Sequence, residues 1–146
     1  MPKPWGHSRA GYLDSIHFRD GATVSKNALL FVIDPRPYQA QLDQAKANLA
    51  GRKAAAVEAE SVYRRLLAEL PSRATAQEEV DVQEGNLPVA KAAVMQAEAA
   101  VRLAQLNLDC AEVRAPIGGG ISRRLVDVGK PVSVDSTVLT LSLIHI

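Results

Sequence analysis

Apolar positions along this chain change their period twice. Leu29 to Ile33, "LLFVI", is a short aliphatic and aromatic run of strand type. From Tyr38 the apolar residues recur alternately four and three apart: Tyr38, Leu42, Ala45, Leu49, Arg52, Ala56, Ala59, Tyr63, Leu66 and Leu70. That spacing is a heptad seam on a helix, interrupted only by Arg52. A second seam follows. Val80, Leu87, Val94, Val101 and Leu108 recur every seven residues, with Gln83, Ala90, Ala97 and Ala104 in the intervening seam positions. Large and small residues alternate along it, as two closely packed helices require.

Between the seams lies "LPSRATAQEE". Pro71 cannot continue the first helix, and Thr75 followed by Glu78 reads as a capping box opening the second. So short a connection makes the helices antiparallel neighbours. At about 1.5 Å per residue, each helix of some thirty residues extends on the order of 45–50 Å. Gly85 and Pro88 interrupt the second pattern at a cost of roughly 1 and 3 kcal/mol. The unbroken heptad register predicts a kink there rather than a fresh start.

The flanks of the hairpin match each other at an offset of 108 residues. "GYLDSIHFRDGATVSKNALLFV" from Gly11 aligns with "GGISRRLVDVGKPVSVDSTVLT" from Gly119. Gly21 falls on Gly129, Val24 on Val132, Leu13 on Ile121 and Asn27 on Asp135. Each copy reads as short strands punctuated by turns. Neither buries a core alone at roughly thirty residues; together they make one small β-sandwich with the helices inserted between its halves. Asp34-Pro35-Arg36-Pro37 is then the exit from the first half. Pro37 should keep Arg36 out of the helical region and take the first helical position itself. "AEVRAPIGGG" is the return, with Gly118 to Gly120 as turn glycines.

Composition agrees with a slim helical pair. Of 23 alanines, 18 lie between Ala40 and Ala104, and aromatics are only 4%. A net charge of +1 gives no basic stripe for nucleic acid. The single cysteine, Cys110, excludes an internal disulfide and reads as a small core residue. No segment is apolar and long enough to span a membrane as a helix. "LSLIHI", residues 141–146, can be written in codons that reproduce a transposase adapter end used in sequencing libraries, so native sequence is expected to stop near Thr140. "MPKPWGHSRA" is read as a non-native or disordered start.

Catalytic chemistry finds no support. His7, His17 and His145 have no ligand spacing, so no zinc site is read. Gly129-Lys130 lacks the phosphate-loop pattern, since position 124 is Arg. Asp20 and Asp127 lie in turns, not in a paired-carboxylate cleft. The chain reads as non-catalytic and without a cofactor.

"GYLDSIHFRDGATVSKNALLFVIDPRPYQAQLDQAKANLA", "LNLDCAEVRAPIGGGIS" and "LVDVGKPV" together resemble the periplasmic adaptor subunits, or membrane fusion proteins of the HlyD-like family, that serve resistance-nodulation-division (RND) tripartite efflux pumps. The resemblance runs from about Gly11 to Thr140. It implies an α+β fold: a long antiparallel coiled-coil hairpin inserted into a split lipoyl- or biotinyl-like β-sandwich. The β halves would be residues 11–35 and 111–140, and the hairpin residues 36–110, with helices near 37–70 and 76–109. It further implies a fragment of a protein that bridges an inner-membrane transporter to an outer-membrane channel. That protein would lie in the periplasm, anchored to the inner membrane, and form a homo-oligomeric ring. Family members place Arg-x-x-x-Leu and a later Ser at the hairpin tip. Here Val62 stands four before Leu66, and Arg64, Arg65, Leu66, Leu67 and Thr75 are the expected channel contact. The carrier lysine of true lipoyl domains is missing from the junction; Lys26 and Lys46 are the nearest. The alternatives are an adaptor of a type I secretion or major-facilitator system, a biotin or lipoyl carrier, and a plain coiled-coil scaffold.

Overall fold

The computed structural model describes residues 10–72, 76–121, 127–133 and 143–144. The chain divides into two compact units, Met1–Pro37 with Asn107–Ile146, and Tyr38–Leu106.

The second unit is a helical hairpin. Helix α1 spans Arg36–Glu69, a 3-10 turn spans Leu70–Ser72, and α2 spans Gln77–Asp109. Ser72 Oγ donates to the Glu69 carbonyl at 2.8 Å, satisfying one of the orphan acceptors at the end of α1. Burial follows the heptads closely. Tyr38, Leu42, Leu66, Val80, Ala97 and Ala104 are buried, and every other seam position is partly covered except Arg52, which is exposed. Arg52 instead borders a hollow of about 160 Å³ with Asn48, Ala93, Gln96, Ala97 and Ala100. A cation in the seam and three alanines opposite leave that space unfilled. Lys53 Nζ and Glu98 Oε1 meet across the hairpin at 3.8 Å. Both are substantially exposed, so the pair aligns the helices more than it stabilises them.

Helix α2 runs through Gly85 and Pro88 without ending, so a fresh start at Pro88 is excluded. Thr75, the expected capping residue, lies outside the described residues. The start of α1 also differs from expectation: Arg36, not Pro37, is its first residue. The cause is Asp34. Its Oδ1 accepts from the Arg36 backbone N–H at 3.1 Å, and its carboxylate also takes the Arg36 Nε at 2.9 Å and Nη2 at 2.8 Å. This turn holds Arg36 against the bias that a following proline imposes.

The first unit holds seven strands in two sheets. They are β1 Ala10–Ile16, β2 Thr23–Val24, β3 Leu29–Ile33, β4 Glu112–Arg114, β5 Gly119–Ile121, β6 Pro131–Ser133 and β7 Leu143–Ile144. One sheet has the order β4-β3-β1-β6 and the other β2-β5-β7. Leu13, Leu30, Phe31, Ile33, Ala111, Ala115 and Ile121 are buried. Consecutive Leu30 and Phe31 are both buried because the β3–β4 ladder slips between Leu29 and Phe31, which breaks the alternation of faces. Phe18 meets Phe31 edge-on at 5.2 Å.

The offset of 108 residues reappears as strand pairing. In β1–β6, Gly11 lies opposite Val132 and Tyr12 opposite Pro131. In β2–β5, Gly119 lies opposite Val24 and Gly120 opposite Thr23. The two ladders map onto each other under the offset, with the halves exchanged. Hydrogen bonds repeat as well: Leu13 N–H donates to Lys130 O at 3.0 Å, and Ile121 N–H to Ala22 O at 2.9 Å. Each half therefore pairs with the other rather than with itself in these ladders. The correspondence ends at β7. Leu13 pairs with Ile33, but Ile121 pairs with Leu143, two positions beyond the equivalent site.

Two residues stand elsewhere than expected. Cys110 is exposed; it follows the last residue of α2, off the seam, and Ala111 takes the buried place. Gly119 and Gly120 are not turn residues but strand β5, where the backbone of β2 comes close. A Cβ on the preceding Gly118 would lie 3.4 Å from Val24 O and Lys26 N.

Candidate functional site

The hairpin end that joins α1 to α2 gathers the candidate contact residues. Arg64 and Arg65 are exposed on the last turns of α1. Arg64 Nη2 donates to Glu60 Oε1 at 2.7 Å, one helical turn back, leaving its remaining donors toward solvent. Leu66 and Leu67 are neighbours in sequence but face differently. Leu66 is 6% exposed, inside the seam; Leu67 is 41% exposed. Their separation follows from the 100° step per residue: one occupies a seam position and the other leaves it. The hairpin end thus presents two guanidinium groups beside one apolar side chain. Arginine is suited to bidentate contacts with carboxylates and to carbonyl groups at helix ends. Thr75 lies outside the described residues.

The other end of α1 carries the strongest electrostatic feature. The Asp34 carboxyl is held below the usual carboxylate range, first by the side-chain hydrogen bond from Arg36 and then by the Arg36 backbone N–H. The Arg36 guanidinium is correspondingly raised. This is a local clamp rather than a catalytic pair, since both groups are solvated and no nucleophile adjoins them.

The remaining candidates do not converge. His17 contacts only Ser15, its Nε2 at 2.9 Å from the Ser15 hydroxyl. Among the described residues, no group of three or more His, Cys, Asp or Glu stands close enough to hold a metal ion. The nearest lysines to the junction, Lys26 and Lys46, lie one in the Ser25–Asn27 turn and one on α1. No helix among the described residues is long and apolar enough to cross a membrane.

Comparison with known proteins bears on the whole assembly of flanks and hairpin. Residues 9–142 match the family model described as the barrel-sandwich hybrid domain of the RND membrane fusion proteins. The multidrug resistance protein MdtA of Pectobacterium atrosepticum is 35% identical over 127 residues, which cover 87% of this chain and 31% of that protein. A chimera of MacA and MexA bearing the Pseudomonas aeruginosa MexA α-hairpin domain superposes with a TM-score of 0.64 at 30% identity, over 90% of this chain and 43% of that one. ZneB from Cupriavidus metallidurans shares the fold, with a TM-score of 0.62 at 22% identity over 90% of this chain and 56% of its own. The chain spans about a third of the length of the curated relatives it matches.

Proposed function

The chain belongs to the RND membrane fusion proteins, and on that premise we propose that it is the hairpin-bearing part of a periplasmic adaptor for multidrug efflux. The adaptor bridges an inner-membrane transporter to an outer-membrane channel, and is itself anchored to the inner membrane. The observation that carries this reading is the continuity of the match: it runs through both β flanks and the hairpin between them, not through the alanine-rich helices alone. Helices of this composition would match many unrelated coiled coils; the interlocked flanks would not.

In this reading the two β halves form a lipoyl-like sandwich that serves as a rigid base and carries no group. The hairpin is a spacer that reaches the channel, and Arg64, Arg65 and Leu67 make the end-on contact, with Thr75 beside them. Leu66 supports them from within the seam. The role is mechanical, so no cofactor or catalytic residue is required, and several copies stand side by side around the export path.

Deleting the gene in its host should raise the intracellular accumulation of several unrelated drugs. Re-expression should restore efflux, and an RND transporter should co-purify with the tagged protein. Unchanged accumulation, together with co-purification of an ATP-driven or major-facilitator transporter, would move the protein to a different export system.

A further inference from the structure

The α2 helix carries a second apolar seam that the hairpin does not use. Val82, Val89, Met95, Leu103 and Leu106 all lie on the face turned away from α1 and are between 49% and 68% exposed. Half of the ten large apolar side chains exposed among the described residues are thus on one helix face. Their order is not random. Val82, Gly85, Val89 and Ala92 alternate three and four apart, and after Gln96 the same alternation resumes with Ala99, Leu103 and Leu106. A solvated face has no reason to keep a heptad repeat, whereas a face covered by another helix has.

The opposite edge of the hairpin has the complementary relief. On α1, the face turned away from α2 holds Ala40, Ala47, Ala54, Ser61 and Ala68 at intervals of seven, all exposed. Small residues there leave shallow places for larger side chains such as those of α2. Charge is also matched by level. Asp43 and Arg102 both lie near the end of the hairpin at Tyr38 and Leu106, and Arg64, Arg65 and Asp81 near the turn. Each of these groups lies on its helix's outward face. Within one hairpin the two outward faces cannot meet.

We propose that the outward face of α2 docks on the outward face of α1 of a second copy of this chain. The contact is head-to-tail, knobs of one copy against the alanine face of the next, with Asp43 opposite Arg102 and Arg64 and Arg65 opposite Asp81. A heterologous contact between parallel copies repeats from copy to copy and closes into a ring when the rotation allows. This deepens the side-by-side assembly proposed above, and rests on it for the parallel setting of the copies.

The test uses the full-length protein, expressed from its own gene with Cys110→Ser, carrying Asp43→Cys and Arg102→Cys together. Mild oxidation should give a ladder at multiples of one copy's mass, and neither single cysteine should. Asp43→Arg, without cysteines, should lower the assembled fraction seen by native mass measurement roughly tenfold through like-charge contact with Arg102, and adding Arg102→Asp should restore it. Dimers from a single cysteine, a band of one copy plus a different protein, or full assembly without a ladder would each overturn the proposal. Drug efflux is scored separately. A ladder without any efflux leaves the surface standing and removes the adaptor reading; efflux without a ladder does the reverse.

Discussion

Gly21 and Gly129 hold the same left-handed backbone, at φ +79° and +83°, although 108 residues and the whole hairpin separate them. Both follow the same local bond: Ala22 N–H donates to Arg19 O at 2.9 Å, and Lys130 N–H to Asp127 O at 3.2 Å. A Cβ at either position would meet no atom within 4 Å, so only the backbone conformation requires glycine there.

Gly21→Ala and Gly129→Ala should therefore cost similar amounts, each about 1–2 kcal/mol. Gly51→Ala, inside α1 with equally open surroundings, should stabilise by about 1 kcal/mol. Thermal unfolding of the three variants checks the sign as well as the size. A silent Gly129→Ala would mean that the two turns are not equivalent.

Gly85 and Pro88 are the weak point of α2. Pro88 has no N–H to give the Glu84 carbonyl, and Gly85 has open space around its missing Cβ. Gly85→Ala should stabilise the hairpin by about 1 kcal/mol and Pro88→Ala by up to about 3 kcal/mol. Amide exchange between Asp81 and Val89 should slow in both variants.

Acid should loosen the start of α1. The folded carboxyl of Asp34 is lowered, so its contribution is present above the unfolded value near about 4 and is lost as pH falls through the lower folded value. Asp34→Asn should melt lower than the parent at pH 7, and the gap should close in acid. A gap unchanged between pH 7 and pH 2 would show that the Arg36 clamp does not couple to folding.

At the hairpin end, Leu66 and Leu67 should separate stability from contact. Leu66→Ala should cost about 2–5 kcal/mol by opening the seam. Leu67→Asp should leave the melting temperature nearly unchanged, since the side chain is largely exposed, and abolish drug resistance in the full-length protein. Retained resistance would take Leu67 out of the channel contact.

The seams were legible from residue types alone, because a helix in a hairpin buries a stripe set by its own period. Only Arg52 departs, and its charge is the reason. The turn glycines and the exchange of strands were visible as an offset in the sequence, but which strand lies beside which was not. That depends on pairs such as Gly11 with Val132, set by the closing of both halves together. Cys110 was misread because one residue past the seam decides between core and solvent. The Asp34–Arg36 turn was also missed; an Asp two residues before a helix start, followed by Arg, was the available signal. The face of α2 at Val82 and Leu103 could have been found by counting sevens a second time.

The exchange of strands between the halves also sets an order of events during synthesis. α1 and α2 contact each other through neighbouring stretches of chain, and loop closure across a short turn is fast. The ladders β1–β6 and β2–β5 join residues about a hundred positions apart, and neither can form until β5 and β6 have left the ribosome. Throughout that interval β1 and β2 are strands without partners, exposed to mispairing with other chains. A hairpin that folds first returns the chain beside its own starting point, so that when β5 and β6 emerge the nearest complementary edge belongs to the same molecule.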